Sequence, residues 1–357
     1  LNTIGGYPLA EVVNRTSLRR YTAIFSAFAL LTVASSTACS SNPLATAPPT
    51  IEPAGPAVSP PPATRPTGEI LPLGANPQAA VFDERTGSLA VLTPGADAQA
   101  AATLTLFNSS GVPRELTLPG SASALAGDGQ GSAYLSTRGG YVTVDLAAGT
   151  ATPVSINDEA GTDFTAIARR ADGRLVLGSA DGTAYTLGSD SAVSEKVKIF
   201  ARVDAMVTEG NNAVVLDRGQ TSVTSLNTEG RTQQSLRAGE GATTLVADPQ
   251  GRVLVTDTRG GQLLVFGVDP LIERQAYPVP EAPYGLAGSR NLTWVSQTAS
   301  NMVVGYDLTT GIPVEKVRYP TVQQPNSLAF DDKSDTLYVV SAAGAGVQVI
   351  RNAAGGR

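Results

Sequence analysis

The sequence holds no histidine and a single cysteine, Cys39, among 357 residues. The first absence removes every Ser-His-Asp or Cys-His nucleophile pair and every histidine-ligated zinc, copper, iron or haem site. It also removes the side chain best suited to act as a general base near neutral pH. The second rules out an intrachain disulfide and a thiolate-held metal cluster. Aromatic residues make up only 5% of the chain and charged residues 16%, with a net charge of −6. An acidic chain without a dense basic cluster does not suit a phosphate backbone, so nucleic acid is not an expected partner. What remains is carboxylate, lysine or tyrosine chemistry, an oxygen-only metal site, or no chemistry, and no cofactor is expected.

Long hydrophobic runs are missing too. An uncharged stretch from Tyr21 to Ala38 follows Arg15, Arg19 and Arg20, but its apolar centre covers only residues 23–34. A membrane-spanning helix needs roughly 20 such residues. A basic flank, a short apolar core and then small residues describe a secretory signal peptide over residues 1–38. The small residues end in Ser36, Thr37, Ala38 and Cys39. This ending resembles the lipobox of bacterial lipoproteins, with Ser36 where that group most often has Leu. The resemblance implies that Cys39 is lipidated and becomes the mature N-terminus, which anchors the chain to the extracytoplasmic face of the cell membrane. The pair Arg19 and Arg20 lacks the flanking residues of a twin-arginine signal, which favours the general export route.

Proline is plentiful, and nine of the 24 prolines fall between Ser40 and Thr67 among Ala, Thr and Ser. Such a segment lacks the apolar surface to fold by itself, and its prolines favour extended polyproline conformations. Residues 39–67 are therefore expected to be a lipidated cysteine and a disordered tether, reaching on the order of 80 Å from the membrane. A proline-rich recognition ligand is the other reading of that composition.

The remaining residues, 68–357, repeat themselves. Pro325 to Asp331, Thr336 to Val340 and Gly346 to Ile350 form three strand signals separated by turns. The first of these aligns with segments around residues 80, 125, 167, 206, 245 and 286, so that with residue 328 seven units recur at about 41-residue intervals. Four short strands per unit at that period are the signature of a β-propeller, so the fold is expected to be all-β with seven blades. Most units close with a fourth strand, such as Arg114 to Leu118, but the last does not. The unclaimed segment from Glu69 to Leu73 is predicted to supply it, closing the ring and covering an exposed edge. Pro72 is tolerable on such an outer strand.

The residues from Pro325 to Ile350, above all Thr336 to Ser341, resemble the YVTN and NHL group of propellers. Together with the lipobox, they make the chain similar to actinobacterial propeller lipoproteins of the LppL type. The Trp-Asp pattern of WD40 blades is absent, and Trp294 alone cannot supply the repeated tryptophans of quinoprotein propellers.

In an antiparallel blade, the turn into the innermost strand and the turn between the second and third strands lie on one face. That face is expected to gather Asn76, Asp163, Asp204, Tyr284 and Asn326 near the central channel. Its hairpin turns would add Arg138, Asp181, Asp217, Arg218, Asp257 and Arg259. Arginine forks pair well with carboxylates and phosphates, so a polar ring for an anionic ligand or partner is one reading. Soluble hairpins built from Asp, Arg and Gly are the other. Asp163 and Asp204 lack a compact calcium-loop pattern, so no metal site is expected. Tyr134, Tyr185, Tyr306 and Tyr338 are expected to pack between blades rather than to form a recognition surface, and Trp294, in the second strand of blade 6, to be core.

Three functions fit this inventory. The leading one is a non-enzymatic binding or scaffold platform for an envelope protein partner, anchored through the N-terminal lipid. The second is capture of a small solute or glycan at the channel mouth. The third is a histidine-free, lactonase-like hydrolase assisted by an oxygen-bound metal.

Overall fold

The computed structural model describes residues 48–74, 76–97, 100–108 and 112–355. The signal peptide, Cys39 and the first part of the tether lie outside the described residues. What is described is a ring of seven four-stranded antiparallel sheets, a seven-bladed β-propeller, with no helix among the described residues. Blade 1 runs Ala79–Asp83, Ser88–Thr93, Thr103–Phe107 and Arg114–Thr117 from the centre outwards. The inner strands of blades 2 to 7 are Ala124–Gly127, Phe164–Arg169, Ala205–Glu209, Ala242–Ala247, Pro283–Gly288 and Pro325–Asp331. Each of the seven inner strands contains its repeat position read from the sequence.

Burial explains the sequence pattern strand by strand. The second strand Leu175–Ser179 is buried at every position, because a neighbouring blade covers each of its faces. The outer strand Val193–Lys198 instead alternates half-buried and exposed residues, since only one face meets a neighbour. Seven apolar clusters fill the seven interfaces between consecutive blades. Trp294 is fully buried between blades 6 and 7, stacked on Phe330 at 5.5 Å and on Tyr319 at 6.5 Å. Tyr185 packs edge-on against Phe164, Tyr306 against Tyr277, and Tyr338 stacks on Phe82 across the seam between blades 7 and 1.

The ring closes as the unpaired strand requires. Glu69–Leu71 is the outer strand of blade 7, with Glu69, Ile70 and Leu71 opposite Val349, Gln348 and Val347. Pro72 falls just past the last pair, where no ladder hydrogen bond is lost. The buried amide of Gln348 fastens this seam. It donates to the carbonyls of Thr67 (2.7 Å) and Pro320 (3.0 Å) and accepts the Val322 N–H (3.0 Å).

The described part of the proline-rich stretch forms neither strand nor helix, as its composition implies. It is nevertheless laid along the ring. From residue 50 to residue 67 it crosses blades 4, 5, 6 and 7 on the face that carries the turns into the inner strands. Its apolar side chains divide, with Val58 93% exposed and Ala54 buried. Backbone carbonyls and amides that a polyproline-like chain leaves unpaired are instead met by side chains of the ring.

Candidate functional site

Two features share this face, the mouth of the central channel and the groove under the proline-rich strap. Seven polar residues, one from each blade, surround the mouth: Gln78, Ser123, Thr165, Asp204, Thr243, Tyr284 and Asn326. Beneath them, Leu125, Ile167, Met206, Leu245, Leu286 and Leu328 line a cavity of about 580 Å³. The inner strands make this layering inevitable, because each enters the channel from a polar turn and then continues as an apolar repeat.

Among the described residues, Asp204 is the one carboxylate in the mouth. Its Oδ2 accepts the Arg218 N–H at 2.7 Å, and its Oδ1 lies 3.2 Å from Arg202 Nε. Burial pushes this carboxyl above the ordinary aspartate range, and the Arg218 N–H and the charges of Arg218 and Arg202 only partly offset that push. Asn326 accepts a hydrogen bond from Gln324 Nε2 at 2.9 Å. Thr165 and Thr243 are turned to neighbouring strands and turns, the first onto the Val203 carbonyl (2.5 Å) and the second onto Thr258 Oγ1 (2.6 Å).

The structure distributes the sequence-derived candidates unevenly. Asp204, Tyr284 and Asn326 meet at the channel mouth. Asn76 and Asp163 sit on exposed turns, where Asn76 N–H is held by the Ala342 carbonyl and the Asp163 carbonyl by Ala180 N–H. Asp163 bridges to Arg138 through the backbone, and Arg138 is exposed on blade 2.

Asp217 and Asp257 are fully buried and staple their turns. Asp217 accepts Gln220 N–H and Ala201 N–H, while Asp257 accepts Gly260, Glu240 and Gly241 N–H. In these two positions turn chemistry accounts for the aspartate. Asp181 is tied to Lys198 at 2.7 Å and to Ser179 at 2.6 Å, which bring its pKa to about 2 against the opposing effect of burial.

Arg218 and Arg259 do come together, but on the chain's own backbone rather than on an open anion site. Arg218 donates to the Ala54 carbonyl, and Arg259 Nη2 to the Glu52 carbonyl at 2.6 Å. Further along, Thr298 Oγ1 accepts Ala57 N–H (3.0 Å), and Asn301 donates to the Pro60 carbonyl (2.7 Å). Gln324 reads two strap residues at once, accepting Ser59 N–H (3.0 Å) and donating to the Ala57 carbonyl (2.9 Å). Sequence reasoning missed Thr298, Asn301 and Gln324. No local pattern marked them: by strand register Thr298 stands where blades 4 and 5 carry Arg218 and Thr258.

No protein-family model matches the sequence. No curated protein matches it either. Solved structures do share the fold. A streptogramin B lyase covers 80% of this chain with 97% of its own, at 12% identity and a TM-score of 0.65. A catalytically inactive histidine-to-alanine variant of virginiamycin B lyase from Staphylococcus aureus, with quinupristin, covers 79% with 97% of its own, at 11% identity and a TM-score of 0.63. U3-55K is equally similar, at 13% identity, 79% and 98% coverage, and a TM-score of 0.66. At such identities the likeness concerns the fold alone.

Proposed function

We propose that the ring is a non-enzymatic binding platform, held at the extracytoplasmic face of the cell membrane by a lipid on Cys39. The observation that carries this reading is the chemistry of the open mouth. Seven polar side chains, one per blade, surround it, and a single carboxylate among them is already engaged by Arg218 N–H and Arg202. That arrangement supports recognition more than proton transfer, which needs a titratable group free to give and take a proton. The lyase among the structural neighbours is inactivated by loss of one histidine, a residue type this chain does not contain. A metal-assisted hydrolase would need converging ligands, and no three Cys, Asp or Glu side chains converge among the described residues.

The roughly 580 Å³ cavity below the mouth favours one further reading, the capture of a small solute or glycan end.

The test is a fractionation followed by affinity capture. The wild-type chain should remain with membranes through a carbonate wash, and Cys39→Ala should be released; a variant that still sediments with membranes refutes the anchor. Capture from detergent-solubilised envelope should recover a partner that Tyr284→Ala with Asn326→Ala loses. A partner set unchanged by that pair of substitutions refutes the mouth as the binding surface.

A further inference from the structure

We infer that the groove crossing blades 4 to 7 is a binding site for an extended, proline-rich polypeptide, and that residues 50–60 occupy it in cis. This goes beyond the platform reading by adding a second site, whose partner is a proline-rich segment of another protein with small side chains at two positions.

The groove reads backbone at successive places. Gly219 carbonyl accepts Ile51 N–H at 2.8 Å, and Arg259 and Arg218 take the carbonyls of Glu52 and Ala54. The Gln324 amide then pairs with Ala57 and Ser59 as a neighbouring strand would, one acceptor and one donor two residues apart. Gln323 adds a bond to the Ser59 carbonyl at 2.9 Å. Such contacts recognise an extended chain whatever its side chains, and carbonyl acceptors are what a proline-rich segment has to offer.

Selectivity comes from two closed pockets. Ala54 is 7% exposed, and a Cβ built on Gly241 would stand 2.8 Å from the Ala54 Cβ, so the glycine makes the room that alanine fills. Ser59 is 3% exposed and its hydroxyl donates to the Thr298 carbonyl at 2.6 Å. Between them Val58 points outwards, 93% exposed. A partner must therefore carry small residues at the two inward positions and is unconstrained at the outward one. Gln324 also donates to Asn326 at the channel mouth, so an occupant of the groove touches the mouth through a single side chain.

The occupant in cis holds its place through effective concentration, which a short link sets in the millimolar range. A partner segment would have to displace it or meet a chain in which it has been released.

The experiment uses the full chain and a fluorescein-labelled peptide with the sequence of residues 48–61. Ala54→Arg with Ser59→Arg places long charged side chains where the pockets are closed, and so opens the strap without touching a blade. Hydrogen exchange should show the Ile51, Ala57 and Ser59 amides protected in the wild type and free in this variant, with blade amides unchanged. The peptide should then bind the opened variant at least tenfold more tightly than it binds the wild type. Adding Gln324→Ala should weaken that binding at least tenfold, and a peptide carrying both arginines should not bind.

Strap amides that exchange freely in the wild type overturn the proposal, as does protection that persists in the double-arginine variant. An opened variant that binds the two peptides equally well also overturns it. None of these results touches the capture experiment on the channel mouth, so failure of the groove and failure of the platform are told apart.

Discussion

Ring closure rests on a glycine whose replacement can be worked out in advance. Gly68 lies one residue before the closing strand Glu69–Leu71, with φ at +83°. A Cβ at this position would stand 2.1 Å from the Val349 carbonyl oxygen. Backbone occupies that space, so no side-chain adjustment can relieve the contact.

Gly68→Ala therefore has two costs. A left-handed backbone costs an L-residue about 1–2 kcal/mol. Moving away from Val349 also loosens the Glu69–Val349 pair at the end of the ladder, for about another 1 kcal/mol per hydrogen bond lost. The expected destabilisation is about 3 kcal/mol. In a domain of this size that lowers Tm by roughly 5–10 °C. Gly74→Ala is the internal control, because no atom lies within 4 Å of its Cβ position. It should change stability by less than about 1 kcal/mol. Urea denaturation followed by Trp294 fluorescence reads both variants, and hydrogen exchange at residues 347–351 reports the seam itself. If Gly68→Ala matches Gly74→Ala in midpoint, with the 347–351 amides equally protected, the closing strand does not bear on stability as argued.

Other parts of the ring are open to similar tests. Gln348→Leu leaves the Val322 N–H and Thr67 carbonyl without their buried partner, and should cost about 2–4 kcal/mol in urea denaturation; a neutral result would mean that the seam does not need this amide. Trp294→Ala should cost about 3–5 kcal/mol, and Trp294→Phe distinctly less, because Phe preserves the stack on Phe330. Asp181 has its pKa depressed to about 2, so its contribution to stability is present above its ordinary value of 3.8 and is lost as pH falls towards 2. Lys198→Met should raise that pKa in an NMR titration and shrink the acid-dependent loss; an unchanged pKa would rule Lys198 out as a cause. Asp204 is shifted the other way by burial, so its contribution is present at low pH and is lost as pH rises through its folded pKa. Asp204→Asn keeps an acceptor for Arg218 N–H, and its stability relative to wild type should climb over that rise and then level off. A constant difference across the same pH range would show that the carboxyl is not desolvated.

Architecture was legible because it is written in local pattern. Each inner strand is an apolar run between turns, and seven of them at regular intervals can bury their surface only against one another. Even the closing strand was readable, since a last blade with three strands and an orphan strand before the first have one common solution. The packing roles of Trp294, fully buried, and Tyr338, half-buried, followed from the same periodicity. The site was less legible. Asp217 and Asp204 look alike in sequence, each an aspartate beside a turn, yet one is a fully buried staple and the other faces the channel. Which it becomes depends on the blade beside it.

Hydrophobic period and turn residues act over a few residues at a time, and they set the number of blades, their order and the place where the ring closes. The absence of histidine likewise set the limits on chemistry before any fold was known. The roles of Arg218, Arg259 and Gln324 emerge only in the folded ring. Their hydrogen-bond partners lie 164, 207 and 267 residues away in the chain, on a segment whose composition promises only a spacer. An extended proline-rich chain shows no periodicity of its own, so the groove that receives it exists only once four blades stand side by side.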